Sequence, residues 1–309
     1  MEKKKNTHNR SDKRIRRIRQ IFTAALLLLM LTTTASFAQT GIITPENASQ
    51  LQITATLSGH SDRVNDVAWS PDNIQVASVS EDASVRIWDS TTTATLHLLN
   101  GHAGSVVSVD WSPDGTRLAT GYLDDTIHIW DVASEQSTAI MIGHTGDVWS
   151  LGWIAAGTQI ASVSDDQTLR IWNSADGTLL NTINAHNARI YDMAAEPHSS
   201  LVVTAAYDGT VTIWETESGA PAATLGNDLT AINAVAWSQD GRLLAVVGES
   251  PVITVWDIAS QTPVASLNAA QTALYSVDFS PDARLLAVGG QGGNIELFDL
   301  ASATPLHTL

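Results

Sequence analysis

A tryptophan recurs every 42 residues along this 309-residue chain, and no other feature limits its possible folds so strongly. The first column of this series is Trp88, Trp130, Trp172, Trp214, Trp256 and Phe298. Two further columns share the spacing: Trp69, Trp111, Trp153, Trp237 and Phe279, and His60, His102, His144 and His186. A fixed period of this length indicates structural repeats, each of which is one supersecondary unit. The sequence therefore contains six copies of one unit, in a single register and without an insertion.

Each copy contains four short runs that are rich in β-branched and aromatic residues. In the first copy these runs are Val64–Ser70, Gln75–Val79, Ser84–Asp89 and Ala94–Leu98. Turn residues such as Ser70-Pro71-Asp72 separate them, as expected between the strands of a hairpin. Four antiparallel strands per unit of about 40 residues make one propeller blade. The sequence thus predicts an all-β fold, a β-propeller of four-stranded antiparallel blades with six complete repeats.

Two dipeptides connect these copies to a known family. Gly-His opens three copies, as in Gly59-His60, and Trp-Asp closes three, as in Trp88-Asp89. Over residues 57–309 the chain resembles the WD-repeat family, for which both dipeptides are typical. The resemblance implies a hydrogen-bonded tetrad in each blade, formed by a histidine, a strand hydroxyl, a turn aspartate and the tryptophan. The implied tetrads are His60, Ser78, Asp82, Trp88; His102, Thr120, Asp124, Trp130; His144, Ser162, Asp166, Trp172; and His186, Thr204, Asp208, Trp214.

The last two copies lose the histidine, the hydroxyl and the aspartate together. Val246 and Val288 occupy the two hydroxyl positions. Joint loss is expected of a buried network, because each orphaned polar group costs about 1–3 kcal/mol. One constellation repeated inside four blades indicates a scaffold rather than hydrolytic triads. We therefore predict no catalytic residue, no metal site and no cofactor.

The number of blades in the closed ring is open at this point. Residues 52–57 have the position of an outer strand that precedes the first copy, whereas the sixth copy has its own outer strand in Thr304–Leu309. One outer strand is therefore spare. We predict a seven-bladed ring of which this chain lacks three strands. The alternative is a six-bladed ring with a redundant strand.

The first forty residues have the order of a secretory signal. Nine basic residues within 1–20 precede the apolar run Ile21–Leu31, and small residues lead to Ala38. This order predicts a signal peptide, residues 1–38, that is cleaved after Ala38, and hence export to the periplasm or the outside of the cell. An uncleaved anchor is the alternative, and only that would place the protein at a membrane. Residues 39–50 are predicted to be a linker and residues 51–309 the propeller.

Charge restricts the possible partners. From Gln39 onward seven arginines and no lysine stand against thirty acidic residues, a formal charge of −23. Such a surface repels phosphate backbones, which argues against nucleic acid and favours basic proteins or cationic ligands. The chain has no cysteine, so it has neither disulfides nor thiolate metal sites.

Function is expected on the narrow face of the propeller. No loop is enlarged to carry catalytic groups, and the WD-repeat resemblance places three variable positions per blade around the rim of this face. Aromatic and arginine side chains are enriched at binding hot spots. The expected partner-binding residues are Trp149, Tyr191, Tyr207, Leu123, Arg189, Asp165, Tyr275, Arg63 and Val107. We therefore predict a non-catalytic scaffold for a protein or peptide partner. The alternatives are a sensor or assembly domain of a larger protein and a periplasmic propeller enzyme.

Overall fold

The computed structural model describes residues 43–53, 55–100, 104–226 and 231–309. Apart from two short 3-10 turns, the regular structure of these residues is β-strand. The first three blades consist of β1 Val64–Trp69, β2 Gln75–Ser80, β3 Val85–Asp89, β4 Thr95–Leu99; β5 Val106–Trp111, β6 Arg117–Tyr122, β7 Thr126–Asp131, β8 Gln136–Ile142; and β9 Val148–Ile154, β10 Gln159–Ser164, β11 Thr168–Asn173, β12 Leu179–Asn184. The last three consist of β13 Ile190–Ala195, β14 Leu201–Ala206, β15 Val211–Glu215, β16 Pro221–Leu225; β17 Ile232–Trp237, β18 Leu243–Gly248, β19 Ser250–Asp257, β20 Thr262–Asn268; and β21 Leu274–Phe279, β22 Leu285–Gly290, β23 Ile295–Asp299, β24 Thr304–Thr308.

The 24 strands form six sheets, and each sheet pairs its four strands in chain order. All pairs are antiparallel, so every sheet is a four-stranded meander. Successive inner strands pack on each other from β1 to β5, β9, β13, β17 and β21. The described residues thus form a six-bladed β-propeller, which confirms the predicted all-β fold of four-stranded blades, while the seventh blade stays a prediction.

The core lies between neighbouring blades rather than inside a single sheet. Val79 and Ile87 of the first blade pack against Trp111, Leu118 and Trp130 of the second. A strand between two such faces is buried on both sides and therefore reads as a continuous apolar run. Inner strand β9, all of whose residues are buried, is the clearest example.

The segment that precedes the first blade differs from its prediction. The described residues of 52–57, which we expected to form an outer strand, have no strand conformation. In the last blade β24 already pairs with β23, so the outer-strand position of that blade is occupied. Residues 43–50, the described part of the predicted linker, contain a 3-10 turn at Ala48–Gln50, and Ala48 packs with adjacent Leu51 on the last blade.

The predicted signal peptide, residues 1–38, lies outside the described residues, and so does its cleavage site after Ala38. In the described part of the chain no helix has the length and apolar character needed to cross a membrane.

Candidate functional site

A β-bulge places one rim residue of every blade. The pairing of the inner strand with the next strand skips a residue in all six blades, for example between Val148 and Ser150. Bulges re-aim the side chain of the extra residue. The bulged residues are Asn65, Val107, Trp149, Tyr191, Asn233 and Tyr275. Four of the expected binding residues are therefore at equivalent places in the fold.

Three aromatic rings meet where the third and fourth blades adjoin. Trp149 and Tyr191 are in edge-to-face contact with ring centroids 5.9 Å apart, and Leu123 of the second blade packs against them. Tyr207 contacts Tyr191 at the same centroid distance with an interplanar angle of 89°. The indole N–H of Trp149 donates to Asp165 Oδ1 at 2.6 Å. The expected cluster therefore exists as one packed unit.

Two of the three rings in the cluster are buried. Trp149 is only 5% exposed and Tyr191 only 3%, so both belong to the core of this face. Tyr207 is 50% exposed and lies on top of them. Beside it, Arg189 Nη1 lies 3.4 Å from Asp165 Oδ2, and both side chains remain partly accessible. We call Tyr207, Arg189 and Asp165 the narrow-face patch.

The remaining expected binding residues lie elsewhere. Val107 and Tyr275 are buried, and together with Trp149 they line a cavity of about 490 Å³ in the centre of the propeller. Arg63 lies at the rim of the first blade, where its Nη1 is 3.9 Å from Glu81 Oε1. These three residues do not contribute to the narrow-face patch.

The implied tetrads form in the first, third and fourth blades. In the first, Trp88 donates its indole N–H to Ser78 Oγ at 2.7 Å, Ser78 contacts His60 Nε2 at 2.7 Å, and His60 Nδ1 lies 3.1 Å from Asp82 Oδ2. The third blade repeats this chain with His144, Ser162, Asp166 and Trp172. In the fourth, His186 and Trp214 bond to Thr204, while His186 Nδ1 lies 3.5 Å from Asp208 Oδ1.

Geometry and charge assign the protons of these networks. In the first and third blades the carboxylate accepts from Nδ1–H, and in the fourth the Thr210 hydroxyl, which donates to Asp208, lies 2.7 Å from His186 Nδ1. With the ring proton on Nδ1, the Nε2 atom accepts the hydroxyl proton of the serine or threonine. Burial lowers the pKa of His60, His144 and His186, which keeps the rings neutral. Burial opposes the ionisation of Asp166, but hydrogen bonds from His144 and Thr168 outweigh it and lower the pKa of this carboxyl.

The tetrad implied for the second blade is described only in part. Trp130 donates to Thr120 Oγ1 at 2.9 Å, but Thr120 donates in turn to the hydroxyl oxygen of Tyr122 at 2.8 Å. His102 lies outside the described residues, whereas Asp124 is described and accepts from Thr126. Tyr122, which is fully buried, thus accepts the kind of hydroxyl proton that a histidine Nε2 accepts in the first, third and fourth blades. One signal of this contact is present in the sequence, because Tyr122 stands where the first blade has the small residue Ser80.

Sequence reasoning also missed a fifth member of the network. In each of the four blades, the residue two positions after the aspartate donates its hydroxyl to that carboxylate. These residues are Ser84, Thr126, Thr168 and Thr210. The equivalent residues of the last two blades are Val252 and Asn294, so the hydroxyl is lost with the rest of the network. This pattern was visible in the 42-residue alignment of the copies.

The networks cannot work as hydrolytic triads. The hydroxyl of Ser162 is held by the Trp172 indole and by His144 Nε2, and Ser162 is fully buried. A nucleophile must reach its substrate, and here the indole ring and the histidine close off the approach. The arrangement therefore stabilises the blade.

The profile of the family described as "IFT122 first beta-propeller" matches residues 105–308, and that of "WD domain, G-beta repeat" matches residues 51–89. Over 41 residues the chain is 58% identical to the "Protein transport protein sec13" of Aspergillus clavatus. That similarity covers 12% of this chain and 14% of the fungal protein.

Proposed function

The chain belongs to the WD-repeat β-propeller family, and from this premise we propose that it is a non-catalytic interaction scaffold that binds a protein or peptide through its narrow face. The observation that carries the proposal is the exposed ring of Tyr207, which rests on buried Tyr191 next to the Arg189–Asp165 ion pair. A tyrosine on a rigid support offers a large apolar contact area at a low entropy cost. Such a group, next to charged hydrogen-bonding partners, is typical of a binding hot spot.

The buried aromatic residues act as the support of this patch. The indole N–H of Trp149 and the guanidinium of Arg189 hold Asp165 from two sides. The carboxylate is thereby fixed before a partner arrives, which reduces the ordering cost of binding. We therefore assign partner contact to Tyr207, Arg189 and Asp165, and positioning to Trp149 and Tyr191.

The charges of the propeller favour a basic partner. All seven arginines after residue 38 are already engaged within the protein. Five lie near carboxylates and two lie over tryptophan rings: Arg63 with Glu81, Arg170 with Asp166, Arg189 with Asp165, Arg242 with Asp257, Arg284 with Glu46, Arg86 over Trp88 and Arg117 over Trp153. Thirty acidic residues therefore dominate the field around the molecule. Complementary charge raises the rate of association and excludes acidic competitors.

The test is a comparison of surface variants in a pull-down from the exported fraction of the producing cell. Tyr207→Ala removes an exposed group of the patch and Arg189→Ala a partly accessible one, whereas Leu180→Ala removes an exposed apolar group on outer strand β12. We expect a partner that is retained by wild type and by Leu180→Ala but lost by both patch variants. Equal retention by all variants would contradict binding through the narrow face.

We also propose that the protein works outside the cytoplasm, on the basis of the signal-like order of residues 1–38. Fractionation of the producing cell, combined with the intact mass of the purified protein, tests this. A mass that begins at Gln39 in the exported fraction is expected. A cytoplasmic protein that begins at Met1 would contradict it.

A further inference from the structure

The outer strands of the blades carry no charged residue. The fourth strand of each blade forms an edge of its sheet, and these edge strands are β4, β8, β12, β16, β20 and β24. Between their bounds they contain no aspartate, glutamate, lysine or arginine. Turns between the strands carry many of the acidic residues instead, for example Asp72, Asp125 and Asp176. Two copies of this acidic molecule therefore repel each other least where the sides of two blades approach.

Proline protects three of these six edges. Pro221, Pro263 and Pro305 occupy the same repeat position in β16, β20 and β24. Proline has no main-chain N–H, and it is one of the residues that keep an exposed edge from pairing with another strand. The equivalent residues of the other outer strands are Thr95 in β4, Ser137 in β8 and Leu179 in β12. The edges of the first three blades therefore lack this protection.

Strand β8 has the most exposed apolar side chains of the three unprotected edges. Ile140 is 51% and Ile142 77% exposed. They lie two residues apart, so both side chains are on the same face of the strand. Met141 between them is buried against the third blade. The corresponding pair on β4, Leu96 and Leu98, is 42% and 37% exposed.

The other copies of the repeat show that a blade does not need these two isoleucines. The residues at the position of Ile140 in the last four blades are Thr182, Thr224, Ser266 and Thr308. The position of Ile142 is asparagine in three other blades, at Asn100, Asn184 and Asn268. All of these blades form the same four-stranded sheet, so polar residues are sufficient for folding at both positions. Adjacent exposed apolar residues that folding does not require indicate a contact with another molecule.

The main-chain groups of the two isoleucines point to the outer edge of the sheet. In the last blade Ile295 and Leu309 exchange both of their main-chain hydrogen bonds, at 3.0 and 2.9 Å. The equivalent residues of the second blade are Ile127 and Met141, which lie opposite each other in β7 and β8. Main-chain groups alternate between the two edges of a strand. Because Met141 faces β7, the residues before and after it present their N–H and C=O groups to the outer edge.

The neighbouring blade leaves β8 more open than β4. In the second and third blades, the residue in the turn before the outer strand reaches the outer strand of the preceding blade. Glu135 Oε1 lies 2.9 Å from His97 Nδ1, so a carboxylate stands beside β4. The equivalent residue beside β8 is Gly177, where a Cβ atom would lie 3.3 Å from the carbonyl oxygen of Ile140. Because glycine has no side chain, it neither covers that carbonyl nor brings charge to the edge of β8.

We propose that two copies of this protein associate through β8, whose outer edges pair antiparallel across a two-fold axis into one eight-stranded sheet. A two-fold axis places the same uncharged surface of both copies opposite itself, so no carboxylates of the two strands are brought together. The main-chain groups of Ile140 and Ile142 pair across the axis, and their side chains form apolar cross-strand contacts on one face of the sheet. A basic partner is the less suitable occupant, because β8 has no charge to attract it. Strand β8 shares no residue with the narrow-face patch.

Sedimentation velocity of the full chain at roughly 1 to 100 µM protein tests the dimer. The double variant Ile140→Thr/Ile142→Asn gives β8 the residues that β12 has at these positions, so it introduces only residues that the same repeat already accepts. The matched control Leu96→Thr/Leu98→Thr removes the exposed apolar pair of β4. We expect a monomer–dimer equilibrium for wild type and control, and an at least tenfold higher Kd for the β8 variant. A wild type that is monomeric throughout, an unchanged Kd of the β8 variant, or loss of the dimer in the control would overturn the proposal.

Salt separates this contact from the binding proposed for the narrow-face patch. Each copy carries a formal charge of −23 from Gln39 onward, and salt screens the repulsion between two such copies. The Kd of the dimer should therefore fall when NaCl is raised from about 50 to about 500 mM, whereas a basic partner should lose affinity for the narrow face over the same range. A dimer Kd that rises with salt would mean that opposite charges make the contact, and it would contradict the proposal.

Hydrogen exchange of the wild-type protein locates the interface without any substitution, so it also decides if the β8 variant does not fold. The amide hydrogens of Ile140 and Ile142 should exchange more slowly as the protein concentration rises, because they become bonded to the second copy. The amide hydrogens of β20, an edge that carries Pro263, should exchange at the same rate at all concentrations. Exchange of β8 that does not depend on concentration would place the contact elsewhere and refute pairing through this edge.

Discussion

Trp256 allows the energetic logic of the tetrads to be measured within one molecule. Its indole nitrogen is buried and has no hydrogen-bond partner among the described residues. The hydroxyl that accepts the indole N–H in the first four blades is replaced in the fifth by Val246, which is buried. Phe298 of the last blade has no N–H, so Val288 leaves no donor unpaired there. Val246→Thr and Val288→Thr therefore make the same chemical change. Only the threonine at position 246 has an unpaired indole N–H next to it.

The expected magnitudes follow from the other blades. Thr120 and Thr204 accept the indole N–H at 2.9 and 2.8 Å and lie 3.5 and 3.4 Å from a main-chain carbonyl. A threonine at position 246 gains the first of these bonds, and a net intramolecular hydrogen bond contributes about 0.5–1.5 kcal/mol. A threonine at 288 buries its hydroxyl without the indole, at a cost of about 1–3 kcal/mol. We expect Val246→Thr to raise the free energy of unfolding by ~1 kcal/mol and Val288→Thr to lower it by ~1–2 kcal/mol.

Urea unfolding followed by tryptophan fluorescence measures both variants against wild type. The slope of the free energy with urea should stay unchanged, since neither variant alters the surface that unfolding exposes. Equal effects of the two substitutions, in sign and size, would refute the assignment of an unsatisfied donor to Trp256.

Three further predictions rest on the described contacts. Trp149→Ala should lower the free energy of unfolding by about 3–5 kcal/mol, because the side chain is buried. In the same urea assay Tyr207→Ala should change this free energy by less than about 0.5 kcal/mol, because Tyr207 is exposed. A small effect of Trp149→Ala would contradict the supporting role of this residue. Tyr122→Phe should cost about 1 kcal/mol by removing the acceptor of the Thr120 hydroxyl, and thermal unfolding that matches wild type would contradict this. Burial lowers the pKa of three tetrad histidines, including His144, below the unfolded value of 6.5, so the folded state binds fewer protons than the unfolded state at mildly acidic pH. The free energy of unfolding should therefore be highest above pH 6.5 and fall as the pH decreases below it. A rise of the free energy of unfolding between pH 6.5 and 5 would contradict the neutral rings.

The strands could be predicted from the sequence because their signals are local. The first strand was expected at Val64–Ser70 and lies at Val64–Trp69, since alternation and turn residues are read over a few positions. Membership of His144 in a network with Ser162 was also predictable, because the whole network recurs with the period of the repeat.

Burial at the narrow face could not be predicted in the same way. The period places Trp149 at the rim, but its exposure depends on Tyr191 of the next blade and on Asp165, which lies sixteen residues away. The same limit applies to the described residues of 52–57, whose sequence suits an outer strand although the outer side of β23 is already occupied by β24. In both cases a tertiary contact decided the outcome.

Packing of each blade only on its neighbours makes this propeller behave as a linear array with two ends. In such arrays stability is close to a sum of unit terms and nearest-neighbour terms, so the end units lose one neighbour each. Here the first and last blades are the ends, and the contacts of Ala48 and Leu51 with Leu297 add a small stabilising interaction to the last blade. No packing like that between successive inner strands joins β21 to β1 in the described part of the chain, so opening should begin at the first and last blades. Amide protons of β9 and β13, in the middle of the array, should exchange most slowly with solvent.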